Sequence, residues 1–152
     1  MNKVDLKTLA GYEEDFARWS AEQAALIRAG KLDRVDLENV AEEIESLGKS
    51  DKGEIRSRLE VLVLHLLKWE KQTEHRSRSW ASSISSQRHA IHRLLEDSPS
   101  LRPYPGEVLP RDYPRARVKA HEETGVYLEH IPETCPYTIE QILDPDFLPG
   151  DL

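Results

Sequence analysis

The chain has 152 residues, 38% of them hydrophobic and 32% charged, enough to bury a core without disulfide or metal staples. A net charge of -7 and an isoelectric point near 5.4 make nucleic acid an unfavoured partner unless a local basic face overrides the sum. Mean hydropathy is -0.63, and the longest apolar segment, Leu59 to Trp69, falls far short of the roughly 20 residues of a membrane span.

Five helical segments are expected, and no strands. The first spans about Tyr12 to Ala29. Tyr12, Phe16, Trp19, Gln23, Leu26 and Ile27 share one helical face, and Gly30 stands where a left-handed cap is wanted. The second spans about Asp36 to Leu47, with Asp36 as N-cap and Leu37, Val40, Ala41, Ile44 and Leu47 as its buried stripe. Gly48 is expected to end it. The third starts near Ser50 and reaches about Gln72. The fourth covers about Trp80 to Glu96 and stops before Ser98-Pro99. The proline-rich run SPSLRPYPGEVLP reads as irregular. A fifth helix is expected from about Arg111 or Pro114 to Thr124, ended by Gly125. The tail from His130 carries one short helix, capped by Thr138 with Gln141 completing a capping box. Short connections make the first three helices antiparallel neighbours. The expected fold class is all-α: an up-and-down bundle of about five helices with a docked C-terminal tail. One domain is expected, residues 1–152, with its core at about 12–149.

Cys135 is the single cysteine, so no intrachain disulfide can form, which suits a reducing compartment. The N-terminal stretch MNKVDLKTLAGYEED lacks an apolar run long enough for a secretory leader. A soluble, cytoplasmic protein is expected.

The third helix holds VLHLLKWE, Val63 to Glu70, and is apolar nearly all round, as a central bundle helix is. Trp69 belongs to the core. Lys68 lies on the polar side, its stem along apolar surface and its ammonium in water. His65 lies at the boundary. Its expected role is a semi-buried ring bonded to a neighbouring helix, with a ligand or proton-transfer group as the sharper alternative.

On the second helix Glu38, Glu42 and Glu45 form one stripe at i, i+4, i+7. Like charges at that spacing repel. A hard divalent cation or a basic partner surface would relieve them, and a solvated acidic face is the plainer reading. From His75 to Arg93 there is no acid, and the stretch holds Arg76, Arg78, Arg88 and Arg93. Such a block could pair internally, meet another subunit, or hold an anion through arginine forks. Internal or intersubunit pairing is preferred, because four arginines make a small footprint for nucleic acid. His89 and His92 share a face but lack a third metal ligand. His121-Glu122-Glu123 does not complete a zincin motif, since Gly125 takes the last position. Cys135 precedes Pro136 with no catalytic arrangement indicated around it. No complete catalytic motif occurs, and no metal or cofactor is specified.

The chain as a whole resembles the bacterial "domain of unknown function 29" family from Tyr12 to Pro149. The likeness rests on YEEDFARWSAEQAALIRAGKLDRVDLENVAEEIESLGKSD, LVLHLLKWE, RSRSWASSISSQRHAI, LLEDSPSLRP and PETCPYTIEQILDPDFLP, in this order. It implies an all-α fold and a bacterial, cytoplasmic origin, and it implies no activity. Its pattern includes Glu42, Glu43, Glu45, His65, Leu66, Leu67, Lys68, Trp69, Ser79, Trp80, Arg88 and Pro99 as they stand here. That makes Glu42, Glu45, His65, Trp69, Trp80 and Arg88 the candidate polar cluster.

Three readings compete. The preferred one is a non-catalytic module that dimerises or docks a protein partner. The alternatives are a metal or small-ligand site on Glu42, Glu45, His65 and Arg88 between the second, third and fourth helices, and a nucleic-acid-associated regulator using Arg76, Arg78, Arg88 and Arg93.

Overall fold

The computed structural model describes Leu6 and residues 8–150; residues 1–5 and 7, the first part of the stretch considered above for a leader, lie outside them. Among the described residues the protein is all-α, with five α-helices, short 3-10 turns and no strand. They form two compact units, Met1–Lys49 and Ser50–Leu152.

In the first unit, α1 (Phe16–Arg28) starts at Asp15, whose carboxylate accepts the Arg18 amide hydrogen at 3.0 Å. Gly30 follows its end at φ 74°, a conformation that a side chain would penalise. The helix begins about one turn later than its aromatic spacing predicts. Tyr12 lies in the turn before it, edge-on to Phe16 and Trp19 with ring centroids 5.7 and 4.8 Å away. α2 (Leu37–Lys71) is capped by Asp36 as expected. The Asp36 carboxylate accepts the Asn39 backbone amide hydrogen at 3.4 Å, and it also accepts the Asn39 side-chain amide at 2.9 Å and the Trp19 indole N–H at 3.1 Å. The Asn39 bond, ahead of the indole bond, holds this carboxyl below its ordinary range. The buried Gln23 accepts the Asp36 amide hydrogen at 2.7 Å, and the Tyr12 hydroxyl donates to Glu43. These paired contacts run in opposite chain directions, so α1 and the start of α2 make a helical hairpin.

The second and third helices expected from the sequence are one. α2 continues for 35 residues through Gly48, Ser50 and Gly53, so the expected connection between those two segments is itself helical. Gly48 has no positive φ. A glycine inside a helix costs only about 1 kcal/mol, too little to stop a helix whose flanking turns are well formed.

The second unit joins the rest of α2 to α3 (Arg78–Asp97), α4 (Tyr104–Thr124) and α5 (Ile139–Leu143). Ile55, Leu59, Leu62, Val63, Leu66 and Leu67 of α2 are buried against Ile84 and Ile91 of α3, Val108, Tyr113 and Ala116 of α4, and Ile131 and Ile142. Arg56 on α2 grips Asp112 on α4 with both ends of its fork, at 2.7 and 2.8 Å. α3 opens on Ser77, which accepts the Trp80 amide hydrogen at 3.2 Å, and stops at Ser98 before Pro99. The capping box on α5 forms as expected: Thr138 Oγ1 accepts the Gln141 amide at 3.1 Å, and Gln141 Oε1 accepts the Thr138 amide at 3.0 Å.

α4 departs from expectation by starting at Tyr104, inside the run read as irregular, with Pro110 and Pro114 in its interior. Those prolines stand four apart and are both exposed, so they share the outer face. There the two carbonyls that lose their amide partners can bond water. The opposite face carries Val108, Leu109, Tyr113, Ala116 and Ala120 into the core. α4 ends at Gly125, φ 73°, as expected.

Candidate functional site

The second unit contains His65, Trp69, Trp80 and the arginine block. His65 Nδ1 lies 2.8 Å from the Val61 carbonyl oxygen, one turn back on its own helix. The neighbouring-helix partner expected for this ring is therefore replaced by an intrahelical one. Lys68 is partly buried. Its ammonium pairs with Glu123 on α4 at 3.1 Å and sits over the Trp80 ring, 4.9 Å from the centroid. Glu123 enters this cluster unannounced by the sequence, because nothing in its spacing marks it as the partner of Lys68. Trp69 is partly buried against the core. The Arg76 guanidinium covers its ring at 4.9 Å and donates to the Trp69 carbonyl at 2.9 Å.

Arg88 is the most constrained polar group here, 3% exposed. Its fork donates to three backbone carbonyls of the tail: Ile142 at 2.8 Å, Phe147 at 2.7 Å and Gln141 at 3.4 Å. Burial pulls its pKa below the ordinary arginine value, partly offset by Asp144 and Asp146. Arg76 donates to Pro149 at 3.5 Å, and the ring of His92 meets the Leu143 carbonyl at 2.7 Å. The Tyr137 hydroxyl donates to Glu70 at 2.8 Å, and burial followed by that carboxylate drives its pKa upward. Arg76 and Arg88 of the basic block thus donate to backbone carbonyls of the tail. Arg78 and Arg93 are exposed. Arg93 borders an open polar hollow of about 270 Å³ with Glu54, Arg58, His89 and Asp97.

Glu42 and Glu45 belong to the first unit and are exposed, as is Glu38. Among the described residues no group of three or more His, Cys, Asp or Glu side chains is placed to hold a metal ion.

The least expected feature is the apolar side of the hairpin. Leu37, Ile44 and Leu47, assigned by periodicity to a buried stripe, are 66%, 64% and 69% exposed, and Phe16 is 50% exposed. Between α1 and α2 runs a groove of about 230 Å³ lined by Trp19, Ser20, Gln23, Ala24, Ile27, Val40, Glu43, Ile44 and Leu47. Periodicity shows that a stripe seeks cover. It does not show whether the same chain supplies it.

In comparisons with known proteins, no curated protein and no solved structure matches this chain. The family model described as domain of unknown function DUF29 matches residues 11–148, nearly the whole sequence, and the chain belongs to that family.

Proposed function

We propose that the protein is a non-catalytic interaction module that docks another polypeptide, a second copy or a different protein, on the apolar face of the α1–α2 hairpin. The observation that supports this most is the exposure of Ile27, Ile44 and Leu47 on the walls of the groove, with Leu37 exposed further along α2. Contiguous apolar surface of this kind is the usual mark of a protein–protein contact. Within the first unit only Trp19 and Leu26 are buried apolar side chains among the described residues, so the hairpin gains stability from outside cover. A bacterial cytoplasmic setting goes with this reading, favoured by the single half-buried cysteine, whose thiol pKa burial raises.

The ligand-site and nucleic-acid readings have less support. Arg88 and Arg76 are committed to tail carbonyls, and His65 Nδ1 to Val61. No helix of the described residues is long and apolar enough to cross a membrane.

A photo-crosslinking amino acid at position 47, in cells, tests the proposal. Position 47 should give a discrete crosslinked polypeptide that the same group at position 42, on the acidic stripe, gives weakly or not at all. Equal yields from both positions, or none from either, would remove the reading.

A further inference from the structure

Resting on the reading that this face takes a polypeptide, we infer that its occupant is a basic amphipathic helix of a different protein. The groove runs along two antiparallel helices, with Ile27 and the small Ser20 and Ala24 on one wall and Val40, Ile44 and Leu47 on the other. Small residues let a third backbone come close. A strand laid there would press unpaired amides and carbonyls against apolar walls. A helix keeps its backbone bonds internal and offers anchors at i, i+3, i+4 and i+7.

Charge selects among helices. On the wheel of α2, the exposed stripe of Leu37, Ala41 and Ile44 is bordered, on the side away from α1, by Glu38, Glu42 and Glu45. All three are exposed, and among the described residues none takes part in an ion pair. Residues 1–49 hold eleven Asp and Glu against seven Lys and Arg, so about a third of the sequence carries more than half of the net charge of -7. A partner whose apolar anchors are flanked by Lys or Arg meets this row with opposite charge. A second copy would bring another carboxylate row to the same interface, where like charges oppose association.

The full chain is titrated, by fluorescence anisotropy, with two labelled leucine-based helical peptides of about 14 residues, identical in leucine spacing. One carries lysine and the other glutamate at every polar position. The lysine peptide should saturate at one per chain and bind at least about tenfold more tightly than the glutamate peptide, with the gap closing as salt rises. Ile44→Asn, at an exposed position, should weaken it about tenfold without changing the circular dichroism. The triple variant Glu38→Gln, Glu42→Gln, Glu45→Gln should weaken it and flatten its salt dependence.

Equal binding of both peptides, no binding of the lysine peptide, or binding indifferent to Ile44→Asn overturns the inference. Light scattering on the same samples separates the remaining case. A concentration-dependent dimer abolished by Ile44→Asn places a second copy on the face, which overturns the basic helix and leaves the interaction reading standing. Absence of both peptide binding and self-association, with no crosslink from position 47, removes both.

Discussion

Arg88 shows how a single buried cation can organise a tail. Its fork is the donor for Ile142, Gln141 and Phe147 carbonyls, and leaving a buried carbonyl unpaired costs about 1–3 kcal/mol each. Arg88→Ala should therefore lower the urea-unfolding free energy by about 3 kcal/mol or more, and Arg88→Lys should recover only part, because an ammonium lacks the planar fork. A loss below about 1 kcal/mol, within the range of an ordinary surface change, would show that the tail is held without it. The family resemblance marks Arg88 as a place to look. Its acceptors are illegible in sequence, since a backbone carbonyl has no side-chain signature. His65 is the same case: its position at the helix boundary is legible, and its bond to the Val61 carbonyl is not.

At the scale of elements, local chemistry was legible where one residue decides the backbone. The Thr138–Gln141 capping box, the Asp36 cap and the left-handed Gly30 and Gly125 all stand where spacing puts them. Thr138→Ala should destabilise α5 and its docking by about 1 kcal/mol, read by urea denaturation. Gly48 is the instructive failure, because helix termination there depends on φ, and α2 keeps φ negative. A Cβ built at Gly48 meets nothing within 4 Å. Gly48→Ala should thus stabilise the protein by about 0.5–1 kcal/mol, raising Tm by about 1–4 °C. A fall in Tm would argue for a break in the helix at that point. The start of α4 was missed because proline reads as a breaker. Placing Pro110 and Pro114 on one exposed face requires knowing which side of α4 is covered.

For the whole molecule, electrostatics set the pH window of stability. Asp112 is held below the ordinary carboxylate range by its hydrogen bonds to Arg56, and Asp36 by its bonds to Asn39 and Trp19. A depressed folded-state pKa contributes stability that is present above the unfolded value of about 3.9 and is lost as pH falls through the folded one. Stability to urea should accordingly be level near neutrality and decline below about pH 4, and Asp112→Asn should make that decline shallower. At the alkaline end burial pushes the Tyr113 hydroxyl up to about 12 and raises Tyr137 as well. Raised values contribute stability that is full below the unfolded tyrosine pKa of about 10 and lost as pH rises above it. Circular dichroism at 222 nm across both limits checks the two arms, and an unchanged urea midpoint between pH 5 and 2.5 would contradict the acid arm.

By itself the sequence determined the helical class, the cap at Asp36, the capped helix in the tail, and which residue types cluster where. Those follow from 3.6-residue periodicity and from side chains that bond their own backbone, both written in nearest neighbours. Only the tertiary structure decided that α2 is continuous, that Arg88 and Arg76 hold the tail, and that the stripe of Leu37, Ile44 and Leu47 is left open. The reason is physical. Periodicity reports the wish of a face to be buried, whereas what covers it, or leaves it for a partner, is set by contacts between residues far apart in the chain.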